Sequence, residues 1–485
     1  MNEKVLISKH DEVYVKVRSE PSTAYELSEH FTFSVPGAKF SPAYRNKVWD
    51  GKIRLFNVMT GLIYAGLVPY IENFSREREY EVEYDGDFTL EEFSLSEARE
   101  FIKTIDLPTK YEVRDYQLDA FVHAVRNKRA LLLSPTASGK SLIIYLLARY
   151  YNARTLVIVP TTSLVSQLSS DFSDYGYGDA SNIHGITAGK SKETDLDFTI
   201  STWQSIYKMP KKFFEQFDVV IGDEAHLFKA KSLVAIMSKL IDCKYRFGFT
   251  GTLDGTQTNK LVLEGLFGAV KRVTTTADLI DQKHLAQFKI KAIVLSYDED
   301  TRKMVSKMNY QDEIDWIVRN QSRNKFIKNL ALSLEGNSLL LFQFVEKHGD
   351  VLFDMIQKSA GERKVYYVAG KTGAEDREYV RKIVENEKNS IIVASSGVFS
   401  TGINIRNLHN VVFTSPSKSR VKNLQSIGRV LRKSESKDSA VLYDIADDLS
   451  YKSKQNYTIQ HFKERVKIYS EEQFPYKIYP VSLKV

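Results

Sequence analysis

The chain has 485 residues, too many for one hydrophobic core, so roughly two to four domains are expected. With 43% hydrophobic and 27% charged residues it reads as a globular protein, and no apolar run approaches membrane-spanning length. The single cysteine, Cys243, excludes an internal disulfide and a cysteine-built zinc site, and the net charge of +7 mildly favours a polyanionic partner.

The opening residues, MNEKVLISKHDEVYVKV, alternate like strands and lack the long apolar centre of a signal peptide, so a cytoplasmic protein with no membrane association is expected. Up to Pro108 the texture is one of short β-like runs, aromatics and turn signals such as Pro36-Gly37 and Asp50-Gly51. This predicts a small α+β domain over residues 1–108. Within it Lys39, Arg45, Lys47, Lys52 and Arg54 fall inside sixteen residues, with Phe40, Tyr44 and Trp49 interleaved and only Asp50 opposing. Cations mixed with aromatics suit contact with a nucleic-acid backbone plus stacking on bases. Arg45, Lys47, Trp49, Lys52 and Arg54 are therefore candidate nucleic-acid contacts. The competing reading is a β-hairpin turning at Asp50-Gly51 with its aromatics in the core, and a core position is expected for Phe40. An acidic block follows (Glu77, Glu79, Glu81, Glu83, Asp85, Asp87, Glu91, Glu92), read as the solvated edge of a strand and helix or as a linker that repels nucleic acid.

From Tyr111 onward, apolar runs alternate with helical segments. The runs are LLLS at 131–134, TLVIVP at 155–160, FTIST at 198–202, VVIGDE at 219–224 and YRFGFTGT at 245–252. A second series comprises IKAIVLSY, SLLLFQF, KVYYVAG, SIIVASS, NVVFTSP and AVLYDIAD, between residues 290 and 447. This rhythm predicts two tandem α/β domains with parallel sheets, at 109–275 and 276–448. The join is placed near Val270 to Asp281, where no strand or long helix is evident. After Asp448 a helix with basic and apolar faces (HFKERVKIY) and a strand-like end (YKIYPVSL) form a short extension, 449–485.

The chemistry concentrates at the ends of these runs. SPTASGKS, from Ser134, has the second half of a phosphate-binding loop but a serine where its first glycine belongs. It lies between a buried strand and a helix N-terminus, where backbone N–H groups and the helix dipole hold phosphate oxygens. Lys140 supplies a cation for the outer phosphates and Ser141 a hydroxyl for magnesium. Asp223-Glu224-Ala225-His226 closes another strand on the same edge, so Asp223 can hold magnesium and Glu224 can polarise an attacking water. The plainer alternative is an acidic loop after a buried strand. Upstream, the Gln117 amide could pair with the edge of adenine and Arg114 could stack on it, or the segment could simply start a helix. Thr250-Gly251-Thr252 could link the nucleotide site to a neighbouring domain, or be an ordinary turn. In the second domain Arg429 and Arg432 share a helix face and suit an arginine-finger role, against the alternative of a basic surface helix. Ser400-Thr401-Gly402-Ile403-Asn404 is read as a loop whose backbone can approach a phosphate.

Taken in order, RDYQ, SPTASGKS, VPTTSLVSQ, DEAH, TGT, VASSGVFSTGINI and QSIGRVLR resemble the motifs of superfamily 2 helicases over about residues 111–447. FSPAYRNKVWDGKIRLFN and the total length look like the phage UvsW-type DNA helicases. In these helicases the first loop position varies, so Ser134 is no objection. The resemblance implies two RecA-like domains that use ATP and Mg2+. It implies that Thr136, Ala137, Ser138, Gly139, Lys140 and Gly402 join Arg114 and Gln117 in holding nucleotide, and that Gln425 joins Lys140, Asp223, Glu224, Arg429 and Arg432 in catalysis. Ser141 and Asp223 would hold the metal, His226, Thr250 and Thr252 would couple the sites, and Thr161, Thr202 and Thr401 would touch nucleic acid. It also implies a monomer that remodels branched or forked DNA by fork regression, Holliday-junction migration, and R-loop (RNA–DNA hybrid) or D-loop unwinding. Two rivals stay open at this point: an RNA helicase, and a nucleotide-gated DNA-binding or strand-annealing protein with little turnover.

Overall fold

The structure is a computed structural model that describes residues 3–35, 37–178, 182–370, 382–402, 407–415 and 439–483, with positions 380, 405, 419, 424, 426–428 and 431. The chain divides into two compact units, residues 1–134 with 139–273, and residues 274–485 with 135–138.

The N-terminal residues build strands β1 (Lys4–Lys9), β2 (Tyr14–Arg18), β3 (Thr32–Ser34), β4 (Lys52–Arg54), β5 (Leu62–Tyr64) and β6 (Glu81–Asp85). Four of these form a mixed sheet in the order β5-β2-β1-β6. Alternation along β1 and β2 sends Val5, Ile7, Val15 and Val17 into one core with Leu27, Ile71 and Phe74 from the helices Pro21–His30 and Val68–Glu77 and with Phe31, which follows the first of them. β6 carries Glu81, Glu83 and Asp85 of the acidic block on an exposed edge. β3 and β4 pair as a separate antiparallel ribbon.

Two expectations fail here. The ribbon does not turn at Asp50-Gly51, because residues 35–51 include a 3-10 turn, Ala38–Phe40, and a short helix, Pro42–Arg45, started by a proline suited to the first helical position. Nor is Phe40 in the core: it is 68% exposed, because Phe31, Leu55 and Phe56 already close the core beneath the ribbon.

The N-terminal sheet is seated on the helix Gln257–Phe267 of the same unit. Leu261 of that helix joins the N-terminal core, and the Tyr70 hydroxyl donates to Glu264 Oε2 at 2.6 Å. Gly66 lies so close that a Cβ there would fall 2.0 Å from the Glu264 carbonyl oxygen.

The first large sheet contains β7 (Arg129–Leu133), β8 (Thr155–Val159), β9 (Ile183–Ile186), β10 (Phe198–Thr202), β11 (Val219–Asp223), β12 (Tyr245–Thr250) and β13 (Val270–Arg272). Its order is β13-β7-β12-β11-β8-β10-β9, and every pairing is parallel. Apolar clusters cover both faces, which is why β8 is an apolar run rather than an alternating one. β13 lies in the stretch where no strand was expected, followed there by a helix of only six residues, Thr276–Asp281. Three residues pairing with β7 along one edge leave no periodic signal.

The second unit holds β14 (Gln287–Ser296), β15 (Ser338–Phe342), β16 (Val365–Val368), β17 (Ile391–Ser395), β18 (Asn410–Phe413), β19 (Ser439–Asp448) and β20 (Tyr476–Ser482). Their order is β16-β17-β15-β18-β19-β14-β20, again all parallel. Two tandem RecA-like α/β domains behind a small N-terminal domain are therefore the architecture. The C-terminal helix Tyr457–Glu471 returns the chain so that β20 pairs with β14, making the extension part of the sheet. The basic face of this helix is partly internal: Arg465 is buried and paired with Asp444 at 2.9 Å. Ser400, Thr401 and Gly402 end the helix Ser396–Gly402 rather than forming a loop, because a Ser-Gly-Val-Phe segment continues from β17 straight into helical turns.

Candidate nucleotide site

The candidate site gathers where β7, β12 and β11 end. β7 and β12 are held together past their last residues by the Ser134 N–H, which donates to the Thr250 carbonyl at 2.8 Å. The loop then turns through two left-handed positions, Ala137 at φ 68° and Gly139 at φ 78°. Gly139 is required on a second ground, since a Cβ there would meet the Gln117 amide nitrogen at 2.3 Å. Ser138 closes the loop on itself, its hydroxyl donating to the Pro135 carbonyl at 2.7 Å. The helix Lys140–Tyr151 starts at once, so Lys140 and Ser141 occupy its first turn, where the backbone presents unpaired N–H groups and a partial positive charge.

Lys140 sits opposite the end of β11, with Nζ 3.4 Å from Glu224 Oε1 and 3.6 Å from Asp223 Oδ1. Glu224 takes the left-handed conformation, φ 52°, a conformation that costs about 1–3 kcal/mol at a non-glycine residue. That turn directs its carboxylate both to Lys140 and to His226, whose Nδ1 lies 3.4 Å away. One ammonium thus serves two carboxylates. Burial raises the Asp223 carboxyl, with Lys140 opposing. Burial also works against the Glu224 anion, but Lys140 and His226 outweigh it and hold this carboxyl down at about 2. Burial lowers the Lys140 ammonium, and the two carboxylates reverse the sign, so the lysine stays charged.

His226 also meets Thr250 Oγ1 at 3.0 Å, and that hydroxyl is within 2.9 Å of the Thr252 carbonyl. A continuous chain of contacts therefore runs from Lys140 through Glu224 and His226 to Thr250 and Thr252. Farther along the same edge stand Thr161, just past β8, and Thr202, the last residue of β10, on adjacent parallel strands. Thr161 caps the helix Thr162–Asp174 and contacts Ser163 at 3.0 Å. Thr202 is buried, its hydroxyl 2.8 Å from Ser205.

Of the two readings left open for this segment, the structure shows the helix start, with Gln117 inside it. Its carbonyl accepts from the Arg114 N–H at 2.9 Å as part of a helix start, its amide donates to the Gly139 carbonyl at 3.4 Å, and the residue is buried. Gln117 thus braces the phosphate loop, and its amide does not stand open toward an adenine. Arg114 donates to the Tyr116 hydroxyl at 2.7 Å. A cavity of about 480 Å³ opens on this segment, lined in part by Tyr111, Glu112 and Val113.

Sequence reasoning missed Tyr175. Its hydroxyl lies 2.8 Å from Ser141 Oγ, within a cluster where its ring meets Tyr111 and Tyr145. Burial pushes this phenol up to about 12, so it is a neutral hydrogen-bonding group. Tyr175 follows its helix by one residue and belongs to no motif, so only the fold brings it under the phosphate loop.

Gln425, Arg429 and Arg432 lie outside the described residues, and of Thr401 and Gly402 only the helical backbone is described. In the N-terminal domain Arg45, Lys47, Lys52 and Arg54 are exposed, whereas Trp49 is half-buried.

Among the described residues there is no group of three or more His, Cys, Asp or Glu side chains able to cage a metal. One hydroxyl and one carboxylate on the same edge fit magnesium, which takes few protein oxygens and completes its shell from water and phosphate.

Comparison with known proteins matches the family described as DNA helicase UvsW, N-terminal, at residues 4–85. Residues 110–255 match the Type III restriction enzyme res subunit, and residues 322–434 the helicase conserved C-terminal domain. The chain is 37% identical over 500 residues to the ATP-dependent DNA helicase uvsW of Enterobacteria phage T4, covering 98% of this chain and 99% of the relative. It is 23% identical to the DNA 3'-5' translocase XPB2 of Sulfurisphaera tokodaii, covering 67% of this chain and 80% of that one. The crystal structure of T4 UvsW matches over 100% of both chains, at 36% identity and a TM-score of 0.53. A fragment of an HsdR subunit of a type I restriction enzyme from Vibrio vulnificus matches 78% of this chain and 70% of its own at a TM-score of 0.58, and its 18% identity shows the fold alone.

Proposed function

The chain belongs to the UvsW-type superfamily 2 helicases, and from that membership we propose that it is an ATP-dependent DNA helicase that remodels branched DNA. The observation that carries the nucleotide chemistry is the single Lys140 ammonium set against Asp223 and Glu224 at the sheet's C-terminal edge. Triphosphate oxygens compete for Lys140, which frees Glu224 to take a proton from water while Asp223 and Ser141 are the groups that would hold magnesium. That ion, when bound, neutralises phosphate charge. His226 stands on both Glu224 and Thr250, so it is the residue through which the state of the carboxylate reaches the neighbouring strand end. Thr252, buried beside it, extends the same path.

Arg429, Arg432 and Gln425 supply the charge-stabilising groups from the second domain, with Gly402 at the nucleotide, and hydrolysis therefore depends on domain closure. Thr161, Thr202 and Thr401 contribute to the DNA track through strand-end and helix-end positions. For Thr202 the contact is made by backbone, since its hydroxyl is already paired. Arg114 and Gln117 act from behind the loop, Gln117 by fixing the position of Gly139. Arg45, Lys47, Lys52 and Arg54 give the N-terminal domain its backbone contacts. The protein works as a monomer in the host cytoplasm, and among the described residues no helix is long and apolar enough to cross a membrane.

The deciding experiment gives the purified protein ATP and forked, four-way, R-loop and plain duplex substrates, with matched RNA in parallel. Preferential, ATP-driven conversion of the branched DNAs is expected. Equal action on plain duplex, or a preference for RNA, would overturn the reading.

A further inference from the structure

Residues 38–49, between β3 and β4, hold four aromatic and branched side chains that the fold treats differently. Trp49 is half-buried, and its indole N–H donates to the Lys52 carbonyl at 2.8 Å, so the ring that looked best suited to stacking is committed to the ribbon. Phe40 is 68% exposed and Val48 81%, with Tyr44 at 42%. Phe40 is held in place by its backbone, since Arg45 Nη2 donates to the Phe40 carbonyl at 2.8 Å. The Lys39 ammonium lies 5.3 Å from the Phe40 ring centre. The cations also divide. Arg54 is tied to Asp50 at 2.5 Å, and Arg45 to the Phe40 carbonyl, whereas Lys39, Lys47 and Lys52 are exposed and make no ion pair among the described residues.

Exposing a phenylalanine ring to water is unfavourable by the greater part of the roughly 1.5–3 kcal/mol that burial of such a side chain is worth. A ring left outside, its carbonyl held by Arg45 and the Lys39 ammonium beside it, fits a flat apolar ligand carried on a polyanion. A paired duplex offers no base face, because each face is already covered by the next base pair. Unpaired bases at a junction or in a gap do offer one.

We propose that this segment is a stacking platform for unpaired DNA bases, with the Phe40 ring as the stacking surface and Lys39, Lys47 and Lys52 as the backbone contacts. The assignment rests on the chain acting on DNA, and it deepens that reading by naming the feature of branched DNA that the N-terminal domain recognises. It also reassigns the partners: Trp49 and Arg54 shape the ribbon, and Arg45 positions Phe40.

The test uses the full chain and equilibrium binding over a salt series. The probes are a fork with 2-aminopurine at the unpaired position beside the junction, and a blunt duplex. The variants are Phe40→Ala, Phe40→Trp, Trp49→Ala and the triple Lys39→Ala/Lys47→Ala/Lys52→Ala, each accompanied by a thermal melt. Base–aromatic stacking is worth about 1–3 kcal/mol per base, so Phe40→Ala should weaken fork binding roughly 5- to 150-fold with an unchanged salt slope. It should leave duplex binding and the melt as they were and reduce the 2-aminopurine response. Phe40→Trp should retain fork affinity. The triple variant should flatten the log–log salt slope by about 0.7 for each phosphate that is no longer neutralised, and Trp49→Ala should lower the melt. Wild-type fork binding by Phe40→Ala beside a flattened slope in the triple variant would refute stacking and leave the DNA contact standing. Equal losses on fork and duplex would place the ring against backbone and refute it too. No change in either variant would remove this segment from DNA binding altogether. Failure of the wild-type protein to separate strands with ATP is read in a separate assay and would sink the helicase reading alone.

Discussion

Gly66→Ala should uncouple the N-terminal domain from the first RecA-like domain. The added methyl would sit 2.0 Å from the Glu264 carbonyl oxygen and 2.8 Å from that of Gly265. Both obstacles are backbone, so no side chain can rotate away, and the helix Gln257–Phe267 must retreat by more than an ångström or so to restore contact distance (about 3.3 Å for carbon against oxygen). A retreat of that size breaks the 2.6 Å hydrogen bond from Tyr70 to Glu264, worth about 1.5–3 kcal/mol as a bond to a charged group, and withdraws Leu261 from the N-terminal core. Overpacking of this kind costs about 1–3 kcal/mol by itself. A combined loss near 3 kcal/mol should lower the melting of the first unit by roughly 6–12 °C. The nucleotide groups lie at the ends of β7, β11 and β12, so ATP hydrolysis without DNA should persist below the melt. Stimulation by forked DNA should fall, because the ribbon proposed to contact DNA no longer moves with the motor. Differential scanning calorimetry and a fork titration of the ATPase measure the two effects. A variant that melts within a degree of the wild type and is stimulated normally would show that the close approach at Gly66 does not hold the domains together.

Glu224→Gln should bind ATP yet lose about 10²–10⁴ in turnover, since it keeps the shape of the side chain and removes the base; steady-state hydrolysis near the wild-type rate in a folded protein would refute the assignment. Arg429→Ala and Arg432→Ala should each lower kcat far more than nucleotide affinity, by up to about 10³–10⁵ for a true finger, and normal hydrolysis at saturating ATP in both would rule the role out. Tyr175→Phe removes the partner 2.8 Å from Ser141 Oγ, so half-maximal nucleotide binding should need more Mg2+ while binding in EDTA stays the same; superimposable Mg2+ titrations would count against a positioning role. His348 is buried, its Nε2 has no hydrogen-bond partner among the described residues, and burial, with Arg323 nearby, holds it down at about 3. Its folded value is below the unfolded one near 6.5, so the unfolded chain binds the extra proton, and the stability present above pH 6.5 is lost as pH falls toward 3. Between pH 6.5 and 5 that loss is about 2 kcal/mol, and urea melts of wild type and His348→Asn should diverge by this amount if the histidine is responsible.

The order and type of the large-sheet elements were legible in the sequence because a strand covered on both faces must be apolar along its length, as in Thr155–Val159 and Val219–Ile221. The residues of the candidate nucleotide site were legible for a related reason. A loop that wraps phosphate needs particular local chemistry, left-handed backbone at Gly139 and a cation at the start of a helix, and local chemistry is written in adjacent letters. Short elements were not legible: β9 and β13 have too few residues for a period to show, and each exists only because a neighbouring strand presents a free edge. Tertiary structure alone decided which polar groups are already spent. Gln117 faces Gly139 across a sequence gap of 22 residues, Tyr175 reaches Ser141 across 34, and Glu224 reaches Lys140 across 84. Tertiary structure likewise chose between two aromatics nine residues apart. Trp49 is drawn into the ribbon by a hydrogen bond to Lys52, and Phe40 is left outside because the core below it is full. Composition states that a ring and its cations are present, but whether that ring faces water or core depends on volume supplied by residues distant in the chain.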